Sequence, residues 1–363
     1  MRVYLSNIFI VTILSFAALL LGKGKNDLGY VKPFKFFSFF VFLSLFLVSA
    51  LRWKVGTDYY EYTNLFELAP TYTYSEIISD KFPELLYSTV TWVSMNLFNN
   101  PKVTFAIYSF LICYFFTKAI SKYSSNYTLS IILYILTMSY YNSFNGILQW
   151  TAAGVIVLGY KHILQRNFKI YLIYIIIATM FHSTAIIMLP VYFMVNKDIF
   201  SINNLILCII AVICFIFFNS FVEVLLKLIQ GTSYAHYSEW FETGGRAANP
   251  LRFLVACVPS LFSIILYSKK IVKKENQIKI LTNLSILNSL SMLVATQNYI
   301  FARFSIYFDI YNVFLLPLLI EKIEKKEARI LTFLMLVGYF IYMYLLLPVD
   351  SNLLPYRTIF QSY

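Results

Sequence analysis

Charge is what this chain has little of. Only 13% of its 363 residues are Asp, Glu, Lys or Arg, about half of what a soluble domain carries. It has 4 cysteines, 3 histidines and 11 glycines. Cys113, Cys208, Cys214 and Cys257 lie singly in apolar runs with no CxxC pair, so neither a disulfide framework nor a zinc site is expected. With only three histidines, scattered along the chain, a multi-histidine metal centre is not expected either. No glycine-rich phosphate loop ending in Lys-Ser or Lys-Thr, no HExxH and no GxSxG occurs. ATP-driven pumping, intramembrane zinc proteolysis and α/β-hydrolase chemistry are thereby disfavoured.

What fills the chain is apolar surface: 60% of residues are hydrophobic and 19% aromatic. Apolar runs recur at 3–21, 34–50, 103–121, 127–141, 145–162, 205–222, 251–268, 280–297, 303–320 and 330–347. A hydrocarbon core needs about 20 such residues per crossing and tolerates only helices or closed barrels. The alternating short strands of a barrel are missing. The expected fold is all-α, a polytopic integral membrane protein of about 10–12 transmembrane or re-entrant helices in one membrane domain, 1–363. Residues 3–21 read as a retained first helix.

The net charge of +12 does not mark a nucleic-acid binder, because its lysines sit in short breaks between apolar runs. The breaks 22–35, 161–169, 269–279 and 321–329 are basic and are placed in the cytoplasm by the positive-inside rule. Loops 51–81 and 223–250 and the tail 348–363 then face outward. Consistent crossings require 83–98 to cross incompletely and 170–195 to enter and return on one side, with FHS near the tip. On this topology five motifs meet at the outer face around a hydrated cavity.

LRWKVGTDYYEY (51–62) sets Asp58 after a Gly-Thr turn, with Arg52 and Lys54 close by. A carboxylate at a membrane boundary beside cations suits a general base, while Trp53, Tyr59 and Tyr60 equally suit headgroup anchors. SYYNSFNGILQW (139–150) brings Asn145 and Gln149 as hydrogen-bonding partners for sugar hydroxyls, or as a helix–helix contact at Gly146. MFHSTAIIMLP (180–190) buries His182 in an apolar run, as a base facing a cavity or as a packing histidine. The loop 231–252 combines Trp240 and Arg246 with Gly244-Gly245, fit for a lid or a headgroup anchor. NYIFARFSIYFDIYN (298–312) puts Arg303 at a helix mouth with Tyr307 one turn on. A guanidinium there holds phosphate in paired hydrogen bonds, or snorkels.

RWKVGTDYYEY, NGILQWTAA, FHSTAIIMLP and ARFSIYF occur in the order and approximate spacing of EpsG-like proteins, the Wzy-type polymerases of bacterial exopolysaccharide and O-antigen assembly. The chain resembles that family from about residue 1 to 320. It departs at Leu148-Gln149, where members often carry Arg-Gln, and at Thr184, where they often carry Ser. The resemblance implies a multi-pass plasma-membrane glycosyltransferase, like other lipid-dependent membrane glycosyltransferases needing no metal or other cofactor. Undecaprenyl-pyrophosphate-linked oligosaccharide is then both donor and acceptor, with a flippase and a chain-length regulator as partners. The site it implies takes Asp58 and His182 as catalytic, Arg303, Arg52 and Arg246 on the pyrophosphate, and Asn145, Gln149, Tyr307 and Trp240 on the sugars. The competing readings are a flippase of lipid-linked oligosaccharide, an O-antigen ligase and a membrane acyltransferase.

Overall fold

The computed structural model describes residues 1–81, 84–229, 247–273, 275–349 and 351–361. Among them regular structure is helical throughout, and β-pairing is confined to the isolated bridges Lys25–Val31 and Arg52–Thr358. The all-α polytopic membrane fold expected from the apolar runs is the fold observed. Its cause is plain: an apolar segment in hydrocarbon has only its own carbonyls to satisfy its amides.

Among the described residues, five helices are long and apolar enough to cross a membrane: Arg2–Leu20, Pro101–Tyr123, Pro250–Ser268, Asn276–Ala295 and Lys325–Leu346. Two further runs break. Ile202–Ile216 and the helix starting at Phe218 meet at 100°, and Tyr299–Asp309 meets Asn312–Glu321 at 49°. Counting each bent pair as one span gives seven. Apolar runs expected to cross at 127–141 and 145–162 instead form the shorter helices Tyr127–Leu136 and Ile147–Leu158. At 1.5 Å per residue these reach about 15–18 Å, roughly half a hydrocarbon core. Nearly every residue in both is buried, so protein, not lipid, surrounds their ends. Leu85–Phe98, at 14 residues, reaches about 21 Å and is likewise too short for a straight crossing.

The chain divides into two compact units, Met1–Leu189 with Leu316–Tyr363, and Pro190–Leu315. In the first, Pro101–Tyr123 runs through the centre and packs on Lys35–Ala50 and Ile147–Leu158. Gly154 permits the latter approach, since a Cβ there would stand 2.9 Å from the Phe115 side chain. Arg2–Leu20 packs on Lys35–Ala50 and Tyr127–Leu136. In the second unit the mostly buried helix Asn276–Ala295 packs on Ile202–Ile216, Pro250–Ser268 and Ala302–Asp309. A polar seam stitches it: Asn204 Nδ2 donates to Asn283 Oδ1 at 2.8 Å, and Asn283 Nδ2 donates to the Val195 and Lys197 carbonyls. Such amide contacts give apolar helices a register that hydrophobicity alone does not supply.

Candidate functional site

Helix Lys35–Ala50 stops at Leu51, and the chain turns through Arg52 to Asp58 before helix Tyr59–Leu68 begins. Arg52 turns inward and is 2% exposed. Its Nη1 donates to the Ser49 carbonyl, to Ser49 Oγ and to Ser109 Oγ, and its Nη2 donates to the Phe144 carbonyl at 3.3 Å. The guanidinium also lies over the Phe144 and Phe105 rings, 4.8 and 5.4 Å from their centroids. No carboxylate among the described residues pairs with it. Carbonyls at a helix C-terminus, hydroxyls and aromatic faces therefore compensate this cation. The residue expected to meet pyrophosphate has most of its donors committed to protein.

Asp58 is locked as well. Its Oδ2 accepts from the Gly146 amide at 2.9 Å, and the Thr57 hydroxyl lies 3.0 Å from Oδ1. The Asp58 amide donates to Asn145 Oδ1 at 3.2 Å, so the 56–58 turn and the 145–146 turn grip each other in both directions. Gly56 makes this possible. Its φ is +109°, and a Cβ there would fall 2.7 Å from Asn145 Oδ1. A side chain is excluded on both counts.

The same turn is strapped from the far end of the chain. Asn145 Nδ2 donates to the Ser351 carbonyl, Gly56 N to the Asn352 carbonyl and Trp53 N to the Arg357 carbonyl. Arg52 pairs with Thr358 as an antiparallel bridge, and Ile359 N donates to the Leu51 carbonyl. Tyr356 Oη reaches the Val48 carbonyl at 2.8 Å, and Tyr4 Oη the Leu353 carbonyl. No motif in the tail announces this function; what it offers is mostly main-chain carbonyls, which leave little trace in residue choice.

His182 occupies the break in the 170–195 run, between helix Phe168–Thr179 and a tight 3-10 turn, Ser183–Ile187. Its amide donates to the Ala178 carbonyl and its carbonyl accepts from Ala185 N, fixing the backbone on either side. The ring Nδ1 lies 3.1 Å from Glu84 Oε1, and the Ser183 amide and hydroxyl donate to that same oxygen at 3.3 and 3.0 Å. Glu84 is 6% exposed at the N-terminus of Leu85–Phe98, a helix outside the candidate spans. Burial pushes its carboxyl up, but the hydrogen bond and charge of His182 and the two bonds from Ser183 outweigh burial and hold it below the usual range. Sequence reasoning passed over Glu84 as the polar start of an apolar run. Its partner stands 98 positions away.

An aromatic chain joins the two features within this unit. Tyr59 stacks on Phe105 at 4.3 Å, Phe105 meets Phe66, Phe66 stacks on Tyr108, and Tyr108 faces Tyr87 just beyond Glu84. Gln149 is buried on Ile147–Leu158, which packs against the Ser183–Ile187 turn. Asp58, Arg52, Asn145, Gln149 and His182 thus belong to one unit. Arg303, half-buried, and Tyr307, fully buried, stand one turn apart on Ala302–Asp309 in the other unit. Arg246 and Trp240 lie outside the described residues.

No curated protein and no solved structure matches the chain. The family model of EpsG matches residues 35–358, from the helix before Arg52, through Glu84, Asn145 and His182, to the strap on Thr358. With nearly its whole length so matched, the chain belongs to the EpsG family, a polysaccharide polymerase-related family of membrane proteins.

Proposed function

We propose that this protein is a Wzy-type polymerase, a glycosyltransferase of the bacterial plasma membrane that joins oligosaccharide repeat units carried on undecaprenyl pyrophosphate. The growing chain leaves its lipid carrier and passes to a hydroxyl of the next lipid-linked unit. The acceptor oxygen attacks the donor's anomeric carbon, the carbon–oxygen bond to pyrophosphate breaks, and the acceptor proton passes to a base. One observation carries this reading beyond family membership: an imidazole, His182, held in a broken helix through Nδ1 alone among the described residues. That arrangement suits general-base work on a hydroxyl.

The leaving pyrophosphate needs cations where charge develops. Arg303 and Arg246 are proposed to meet it, and Arg52, with its nitrogens turned inward, to hold the 51–58 turn. Asp58 and Asn145 act in this reading through the turn they lock, and Gln149, Tyr307 and Trp240 as sugar contacts.

The size distribution of surface glycan in a strain lacking the gene, with and without a restored copy, tests the proposal. Single repeat units at the surface without long chains, cured by the restored copy, is the expected result. Loss of all surface glycan, with lipid-linked units trapped inside, would replace the polymerase by a flippase.

A further inference from the structure

Three contacts converge on one oxygen, Glu84 Oε1: His182 Nδ1 lies 3.1 Å away, and the Ser183 amide and hydroxyl both donate to it. The two segments are also joined through the main chain. The Leu86 and Tyr87 amides, in the first turn of Leu85–Phe98, donate to the Met180 carbonyl at 2.7 and 3.3 Å. The joint sets Glu84, just before that helix, against His182, two residues beyond Met180. Glu84's own carbonyl accepts from the Ser88 amide and hydroxyl, so its backbone is fixed too.

An ionised carboxylate only accepts hydrogen bonds. A neutral imidazole facing it through Nδ1 must put its proton there, which leaves the lone pair on Nε2. Ser183 strengthens the arrangement from the same side, because both its donors hold Oε1 toward the ring.

We infer that Glu84 is a positioning residue that sets the tautomer and orientation of His182, presenting Nε2 as the proton acceptor. This rests on the polymerase reading, with His182 as base. The proton of the acceptor hydroxyl moves to Nε2 while the oxygen's electron pair forms the bond to the anomeric carbon. The pyrophosphate departs with the electron pair of the broken bond. His182 becomes an imidazolium beside the Glu84 carboxylate, so the new positive charge forms next to a negative one already in place.

The test uses the full-length protein in detergent or nanodiscs, labelled with 15N-histidine. Only three histidines occur, and His182→Asn identifies the signal. The ring nitrogens at alkaline pH should show Nδ1 protonated and Nε2 bare. Glu84→Leu should turn this into a mixture of tautomers. With lipid-linked oligosaccharide extracted from a strain lacking the gene as substrate, Glu84→Leu should lower kcat about 100-fold with KM unchanged. Glu84→Asp, which keeps the charge on a shorter stem, should recover part of the rate.

A wild-type ring protonated at Nε2 would overturn the inference, and decides the matter even if Glu84→Leu fails to insert. So would a Glu84→Leu protein that keeps the wild-type signature and rate. If His182→Asn is inactive while Glu84→Leu is fully active, only the role of Glu84 falls. If His182→Asn polymerises normally, His182 is not the base, and the reading beneath the inference falls with it.

Discussion

The amide of Gly146 donates to Asp58 Oδ2 at 2.9 Å across 88 positions of sequence. A carboxylate bound in this way holds two turns together, and the bond is charge-assisted. Asp58→Asn keeps one acceptor oxygen but loses the charge, and should cost about 1–2 kcal/mol of stability. The thermal midpoint in detergent should fall while shortened glycan chains persist. Loss of all polymerisation at unchanged stability would place Asp58 in the chemistry itself.

Gly56 stands against Asn145 with a backbone that L residues avoid. Gly56→Ala should destabilise the protein by about 1–3 kcal/mol, from the strained φ and the displaced Asn145 together. Limited proteolysis of the 51–58 turn reads this directly. Resistance equal to wild type would show that the turn does not depend on the close approach.

Acid should loosen the Glu84–His182 joint. The Glu84 carboxyl is held below its ordinary value of 4.5, so its contribution to stability is complete above that value. The contribution is lost as pH falls through the lower, folded value. Between pH 5 and 3 the wild-type thermal midpoint should therefore fall more steeply than that of Glu84→Gln. Parallel curves for the two proteins would remove the carboxylate from this account.

Arg303→Ala, if it inserts normally, should abolish long glycan chains. Arg303→Lys should restore only part of the activity, because an ammonium cannot offer the paired donors of a guanidinium. Full polymerisation by Arg303→Ala would end its proposed role on pyrophosphate.

Hydrophobic runs made the helical fold legible, because a 20-residue apolar stretch admits few other structures in a bilayer. The breaks were harder. Nothing in composition separates a straight run at 205–222 from one bent by 100° near Phe217. FHS stood out because an ionisable ring in an apolar run is costly unless it faces a cavity or a partner. Glu84 did not, since an acid at a helix start is ordinary and its importance lies in a partner 98 residues on. Arg52 reads as a boundary cation in sequence, yet it is the interior aromatic faces and carbonyls that draw it inward. The tail 351–361 was invisible for a different reason: most of its strapping is done by the carbonyls of Ser351, Asn352, Leu353 and Arg357, which every residue carries, and Tyr356 adds a single side-chain hydrogen bond to the Val48 carbonyl.

That last contact has a consequence in time. Val48 and Tyr356, joined by a hydrogen bond, are 308 positions apart, so at 5–20 residues per second the ribosome delivers the second about 15–60 s after the first. Throughout that interval the 51–58 turn waits in the nascent chain without its strap, although most of the helices around it have already been made. Closure of the turn therefore waits until residues 351–359 have been made and can reach it. A chain halted at residue 349 would carry every residue proposed for chemistry and still lack the carbonyls of Ser351, Asn352 and Arg357. Pulse-labelled chains released at that length should show a turn open to protease, whereas those extended to residue 361 should show it closed.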